Sequence, residues 1–244
     1  MHEGICDSRM WDPQWETFPP RHRVLRYDMR GFGRSPIEPG RFSNACDLVD
    51  LLERHEIERA SLVGVSVGGR VALEVALARQ QLVEALVLVG SGLPGHEWSE
   101  EMQAAWKEEE AALRRGDLDE AVEVSVRIWV DGPRRGPEDV NPVVRSQVAE
   151  MQRRAYELQL PVEETAEEEL LVDDLARRLG EVRARTLVLA GELDVPDIHA
   201  IADRLEREIP GAHRASIADT AHVPSLERPR EFDELVLGFL DASQ

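Results

Sequence analysis

The stretch GVSVGG, Gly64–Gly69, sets a serine between two glycines in the pattern G-x-S-x-G. A serine hydroxyl attacks an acyl carbon once a base takes its proton, and this spacing suits a serine lifted out of the backbone by a sharp strand-to-helix turn. Side chains two positions to either side of such a turn would collide, which accounts for glycine at 64 and 68. The pattern recurs by chance, so its context decides. The apolar run ASLVGV ends at the serine, and the helical run VGGRVALEVALARQ begins just after it. A phosphate-binding glycine loop is the competing reading, but no Lys follows the glycines and no G-x-G-x-x-G is present. Ser66 is the candidate nucleophile.

The base that activates a serine is usually a histidine held by a carboxylate. The chain has seven histidines. His55 and His199 fall in helical stretches on or beside polar faces, and His22, His96 and His213 have no motif around them. His222 stands apart, in the short loop DTAHVPSLERP between the last strand and the last helix. That places it on the carboxyl rim of a parallel sheet, where ligands and catalytic groups gather. The carboxylate is expected from another strand end, and TLVLAGELDVPD offers Glu192, Asp194 and Asp197. Asp194 lies in the loop and is preferred, whereas Asp197 reads as the N-cap of the following helix. Asp194, Asp197 and His199 could also form a metal cluster, but no further His or Cys group completes a first shell. No metal and no cofactor are expected.

These residues need a parallel sheet to bring them together, and the apolar patterning supplies one. Arg23–Asp28, Ala60–Val65, Val83–Val89, Thr186–Ala190 and His213–Ile217 read as strands. Val83–Val89 is apolar almost throughout, as a strand covered on both faces should be. Between them, Ser43 caps a helix with Ala45, Leu48, Val49 and Leu52 on one stripe. Ile198, Ile201, Ala202, Leu205 and Ile209 mark another, and Pro229 opens a final one. The β-α-β alternation at both ends predicts an α/β fold with a mostly parallel sheet. From about 95 to 183 the reading finds no strand: polar helical stretches, a Pro/Gly-rich break, and the acidic run VEETAEEELLVDDLARRL, read as solvated helix face. The division is 1–94 and 184–244 as core, with 95–183 as a helical insertion.

The order Ser, Asp, His along a parallel sheet resembles the α/β-hydrolase superfamily, over nearly the whole chain. YDMRGFGRS (Tyr27–Ser35) looks like that family's post-strand loop and AHVPSLERP like its histidine loop, while the insertion lies where the family carries its helical cap. The branch it is most similar to holds small lactonases, esterases and carbon–carbon-bond hydrolases. The resemblance implies an oxyanion hole of two backbone N–H groups, those of Val67 and Gly4, the latter in the loop His2-Glu3-Gly4. Glu3 stands where the family carries glycine or a small residue. The family also places a central strand before that loop, between the stretches 23–28 and 60–65, and two more at an edge. None is in this sequence, so the resemblance implies that about 20 residues are missing upstream, through a wrongly recorded start or a truncated gene.

Composition bounds the remaining classes. There are 48 acidic against 29 basic residues, a net charge of −19, which disfavours nucleic acid and anionic membranes as partners. No apolar run reaches the ~20 residues of a membrane span, and no charged-then-apolar leader opens the chain. Cys6 and Cys46 lack any motif spacing and fit a reducing, cytoplasmic setting. The expected function is a serine hydrolase acting through an acyl-enzyme on an ester, lactone or related acyl bond of a small molecule. A ligand-binding protein that keeps the fold without turnover, and an inactive fragment, are the alternatives. An Asp at position 66 would have pointed to epoxide or haloalkane chemistry; Ser argues against both.

Overall fold

A computed structural model describes residues 1–242. In chain order the elements are α1 (Asp12–Thr17), β1 (Gly40–Phe42), α2 (Asn44–Arg54), β2 (Ala60–Val65), α3 (Val67–Ala78), β3 (Val83–Val89), α4 (Glu100–Arg114), α5 (Leu118–Val126), α6 (Pro142–Gln159), β4 (Ala166–Glu168), β5 (Arg185–Gly191), α7 (Pro196–Glu208), β6 (His213–Ile217), α8 (Pro224–Glu227) and α9 (Pro229–Asp241). Four strands form an all-parallel sheet in the order β2-β3-β5-β6. The register sets Val65 beside Val89, Val89 beside Leu189, and Gly191 beside Ile217. The carboxyl ends of all four strands therefore share one rim, and the loops that leave them converge.

Alternation along the strands divides the core between the two faces. Leu86 and Leu88 pack on one side with Val71, Val75, Ile198 and Leu205, from α3 and α7. Val87 and Val89 pack on the other with Leu189, Phe232 and Val236, the last two from α9. Each such buried side chain contributes roughly 1.5–3 kcal/mol, so the rim rests on a rigid layer. Helix α2 starts as its sequence requires: the Ser43 side chain accepts from the Cys46 N–H, and Ala45, Leu48, Val49 and Leu52 are buried. Helices α4, α5 and α6 lie in the chain between β3 and β5, and α5 packs between the other two.

Three expectations are corrected. Arg23–Asp28 is not a strand. Val24–Tyr27 make no backbone hydrogen bond among the described residues, because a groove of about 600 Å³ separates them from β2. Val24, Leu25 and Tyr27 line one wall and Ala60, Leu62 and Val63 the other. A strand exists only where a neighbour pairs with it, and none lies here. Second, the region 95–183 does hold a strand: β4 runs parallel to β1, with Arg41 beside Glu167. Third, the acidic run around it is that strand followed by 3₁₀ turns at Leu175–Arg177 and Leu179–Glu181, not a helix. Its carboxylates are solvated or paired, as with Glu168 and Arg70 at 2.7 Å.

Candidate active site

Ser66 sits at the junction of β2 and α3 with φ +52° and ψ −112°. Such angles strain a non-glycine residue by about 1–3 kcal/mol and persist only where surroundings hold them. Here the Ser66 N–H donates to Val89 O at 2.9 Å, and Ser66 O accepts from Arg70 N at 3.0 Å and Gly92 N at 3.1 Å. The flanking glycines are required by contact. A Cβ on Gly64 would run into the Gly68 carbonyl, and one on Gly68 would lie 2.5 Å from His2 O and 2.6 Å from Met1 O.

His222 reaches the same rim from the loop after β6. Its Nδ1 faces Asp194 Oδ2 at 2.8 Å, and both side chains are almost fully buried. The second carboxylate oxygen, Oδ1, accepts from Val195 N at 2.8 Å, which fixes the carboxylate plane. An acceptor at Nδ1 places the imidazole proton there and leaves Nε2 with its lone pair free. Nε2 is buried and has no hydrogen-bond partner among the described residues, Ser66 included. Burial alone would push this imidazole down; the charge and hydrogen bond of Asp194, together with Glu3, carry its pKa above the ordinary value. Glu192 is exposed.

The first residues of the chain close the site. Met1 lies along β2, its amine donating to Val63 O at 2.6 Å and its carbonyl accepting from Val65 N at 3.2 Å. His2 is buried; its Nε2 accepts from Met29 N at 2.9 Å, so Nδ1 carries the proton and donates to Glu3 O at 2.7 Å. Burial lowers its pKa to about 4, and a neutral ring clamps this loop to the loop 27–35. Asp28, in that second loop, accepts from Ser8 N at 2.8 Å and Arg34 N at 2.9 Å. Gly4 thereby passes against the residue after the serine: a Cβ there would stand 3.3 Å from Val67 Cγ2. The Gly4 N–H has no acceptor among the described residues.

Sequence reading missed two neighbours of the histidine. The Trp129 ring lies against it at a 40° tilt, ring centroids 4.5 Å apart, and the Trp129 carbonyl accepts from the His222 backbone N–H at 3.1 Å. It lies in a π-turn, Arg127–Asp131, that widens the end of α5, a distortion frequent at functional sites. Nothing in the periodicity of LDEAVEVSVRIWV marks it. Glu3 is the other: its Oε2 lies 3.6 Å from His222 Nε2. A charged residue in a tight loop next to glycine was the available signal. Asp197 is also corrected. Val195 holds the N-cap position of α7, while Asp197 accepts from Ser99 N at 2.8 Å and Ser99 Oγ at 2.7 Å and meets His96 Nε2 at 3.1 Å. It ties the start of α4 to the rim. No group of three or more His, Cys, Asp or Glu among the described residues could hold a metal ion.

The model of the alpha/beta hydrolase fold matches residues 1–229. The chain belongs to the alpha/beta hydrolase fold family. Among its relatives is a protein of Azorhizobium caulinodans named "Putative carbamate hydrolase RutD", 29% identical over 244 residues, covering 94% of this chain and 85% of that one. 3-Oxoadipate enol-lactonase 1 of Acinetobacter baylyi is 24% identical over 242 residues, covering 98% and 86%. A crystal structure of a hydrolase from Pseudomonas aeruginosa superposes with a TM-score of 0.76 at 26% identity, covering 98% of this chain and 87% of that one. These relatives are named as hydrolases and lactonases, and the chain is similar to the lactonase-like and carbon–carbon-hydrolase-like members of the family. No helix among the described residues is long and apolar enough to cross a membrane.

Proposed function

We propose that this alpha/beta hydrolase is a serine hydrolase that cleaves an ester, lactone or related acyl bond of a small molecule through an acyl-enzyme. The observation that carries the reading is the pairing of buried His222 with Asp194 at 2.8 Å on the rim where Ser66 is held at φ +52°. Ser66 Oγ attacks the acyl carbon, and His222 Nε2 takes its proton. Asp194 keeps the proton of the neutral ring on Nδ1 and stabilises the imidazolium that forms. The N–H groups of Gly4 and Val67 receive the oxyanion, each worth on the order of 3 kcal/mol in the transition state. The imidazolium then protonates the leaving group, and water, activated by the same histidine, releases the acid.

Residues 95–183 act as the cap in this reading, with Trp129 laid over the histidine and bounding the space for substrate. Relatives named as a carbamate hydrolase, an enol-lactonase and a 2-hydroxy-6-oxononadienedioate hydrolase support an acyl or activated carbonyl substrate. The groove between β2 and 23–27 is not the substrate cleft: Ser66, Asp194 and His222 do not line it. Cys6 and Cys46 are both free, which agrees with a reducing cytoplasm as the place of action. The test is labelling with a fluorophosphonate, read by intact mass, on the wild-type chain and on Ser66→Ala. A single adduct, absent in the variant, is expected. An unlabelled wild type that binds a small ligand stoichiometrically would instead favour a binding protein.

A further inference from the structure

The catalytic face of the histidine is not empty. Glu3 is almost fully buried, and its two carboxyl oxygens face different groups. Oε1 accepts from Cys6 Sγ at 3.1 Å. Oε2 has no hydrogen bond among the described residues; it stands 3.6 Å from His222 Nε2, beyond hydrogen-bonding range but close enough for a strong Coulomb interaction between two almost fully buried groups. His222 therefore has a carboxylate at each ring nitrogen, Asp194 at Nδ1 and Glu3 at Nε2. The serine mechanism uses only the first.

We propose that Glu3 is a positioning residue that shares a proton with His222 and so sets the pH at which the histidine becomes free to act as a base. The proposal rests on the serine-hydrolase reading for its consequence, though not for the coupling itself. Two forms of the pair hold one proton. In one, Nε2 carries it and faces the Glu3 carboxylate; this imidazolium has no lone pair for the Ser66 proton. In the other the carboxyl holds it and the ring is neutral. Release of that proton to solvent leaves a neutral imidazole beside an anionic Glu3, the base-competent state. When Ser66 later gives up its proton to Nε2, the imidazolium re-forms between two carboxylates.

The surroundings keep the shared proton in place. Glu3 comes from the first loop and His222 from the loop after β6. Cys6, also of the first loop, donates to Glu3, and burial raises its thiol well above the ordinary range. Asp194 comes from the loop after β5. Glu227 of α8 also bears on the pair, but it is bound by Arg135 at 2.7 Å and by Ala221 N at 2.8 Å. Trp129, from the end of α5, is uncharged. The cation in this ring of groups, Arg135, is thus already committed to Glu227. Burial pushes the Glu3 carboxyl up to about 7, against the pull of His222 and of the Cys6 hydrogen bond. Glu3 and His222 are then expected to titrate as one coupled system.

The test is Glu3→Gln, isosteric and unable to ionise, with the His222 ring followed by NMR across pH. An opposite charge within about 4–6 Å shifts a pKa by roughly 1–3 units. Removing it is expected to lower the His222 midpoint by at least about one unit. At one pH unit below the wild-type midpoint the neutral fraction then rises from about 0.09 to about 0.5, and fluorophosphonate labelling of Ser66 becomes about fivefold faster than in wild type. Glu3→Asp, which retains the charge, is expected to restore most of the midpoint. An unmoved or raised midpoint in Glu3→Gln overturns the proposal. Should that variant not fold, the wild type decides: the ¹³C signal of the Glu3 carboxyl must report the same steps as His222, and an independent titration at an ordinary carboxyl pH overturns the coupling. The NMR readout needs no turnover. A wild type that takes no label but shows the coupled titration refutes the hydrolase reading and leaves the pairing standing.

Discussion

Gly68→Ala separates helix propensity from site geometry at one atom. Gly68 lies in the first turn of α3, and on propensity alone Ala would be favoured there by up to about 1 kcal/mol. The added methyl, however, would stand 2.5 Å from His2 O and 2.6 Å from Met1 O. Carbon–oxygen contacts settle near about 3.3 Å, so the first loop must retreat by about 0.7–0.8 Å. The Met1 carbonyl is already 3.2 Å from the Val65 N–H, and a retreat of that size breaks the bond. Gly4 travels with the loop, and its N–H leaves the position proposed for it, facing the acyl oxygen. Loss of one oxyanion donor lowers kcat on the order of 10²–10³-fold. The expected outcome is a fluorophosphonate labelling rate down by about 10²-fold, with the protein still folded and its Tm within a few degrees of wild type. Gly238→Ala in α9, where a Cβ meets nothing within 4 Å, is the control and keeps the wild-type rate. A Gly68→Ala protein that labels at the wild-type rate would refute both the packing argument and the role given to Gly4.

Two further outcomes follow from the same loop and from the groove beside it. His2 must be neutral in the folded chain, its pKa lowered from 6.5 to about 4, so its contribution is complete above pH 6.5 and lost as pH falls toward 4. The loss amounts to about 3 kcal/mol. His2→Gln can still accept from Met29 N but does not titrate, so its stability should fall less than that of wild type across this window in urea melts. Parallel curves would show that His2 is not buried as a neutral ring. In hydrogen exchange, the amides of Val24–Tyr27 should exchange with little protection while those of β3 exchange only on global unfolding. Strong protection at 24–27 would mean that this segment has a backbone partner.

The nucleophile elbow was legible because its chemistry is local. Strand, serine, glycines and helix are contiguous, and the strain at Ser66 and the clash at Gly64 act within four residues, whereas the clash at Gly68 is with Met1 and His2 and had no local sign. His222 and Asp194 were legible one step further out, since apolar patterning places strand ends and a parallel sheet gathers those ends on one rim. The spans of β2 and β3 were readable to the residue because β3 is buried at every position but Glu84 and so is apolar almost throughout, and β2 runs straight into the turn at Ser66.

What sequence could not decide was every contact made across the fold between groups with no periodicity of their own. The stretch 23–28 has strand composition, but composition does not provide the neighbour that turns an extended segment into a strand. Ala166–Glu168 lacks strand composition and becomes one because Gly40–Phe42 lies beside it. Asp197 has the chemistry of an N-cap, yet packing turned it toward Ser99, because a carboxylate there satisfies donors from another element. Glu3 and His222 are 219 positions apart, and only the convergence of the first loop on the sheet rim brings their side chains to 3.6 Å. The sequence alone singled out candidate residues for acyl chemistry and a parallel sheet to gather them. The tertiary structure decided what surrounds the base, because burial and Coulomb energy depend on distances that chain order does not contain.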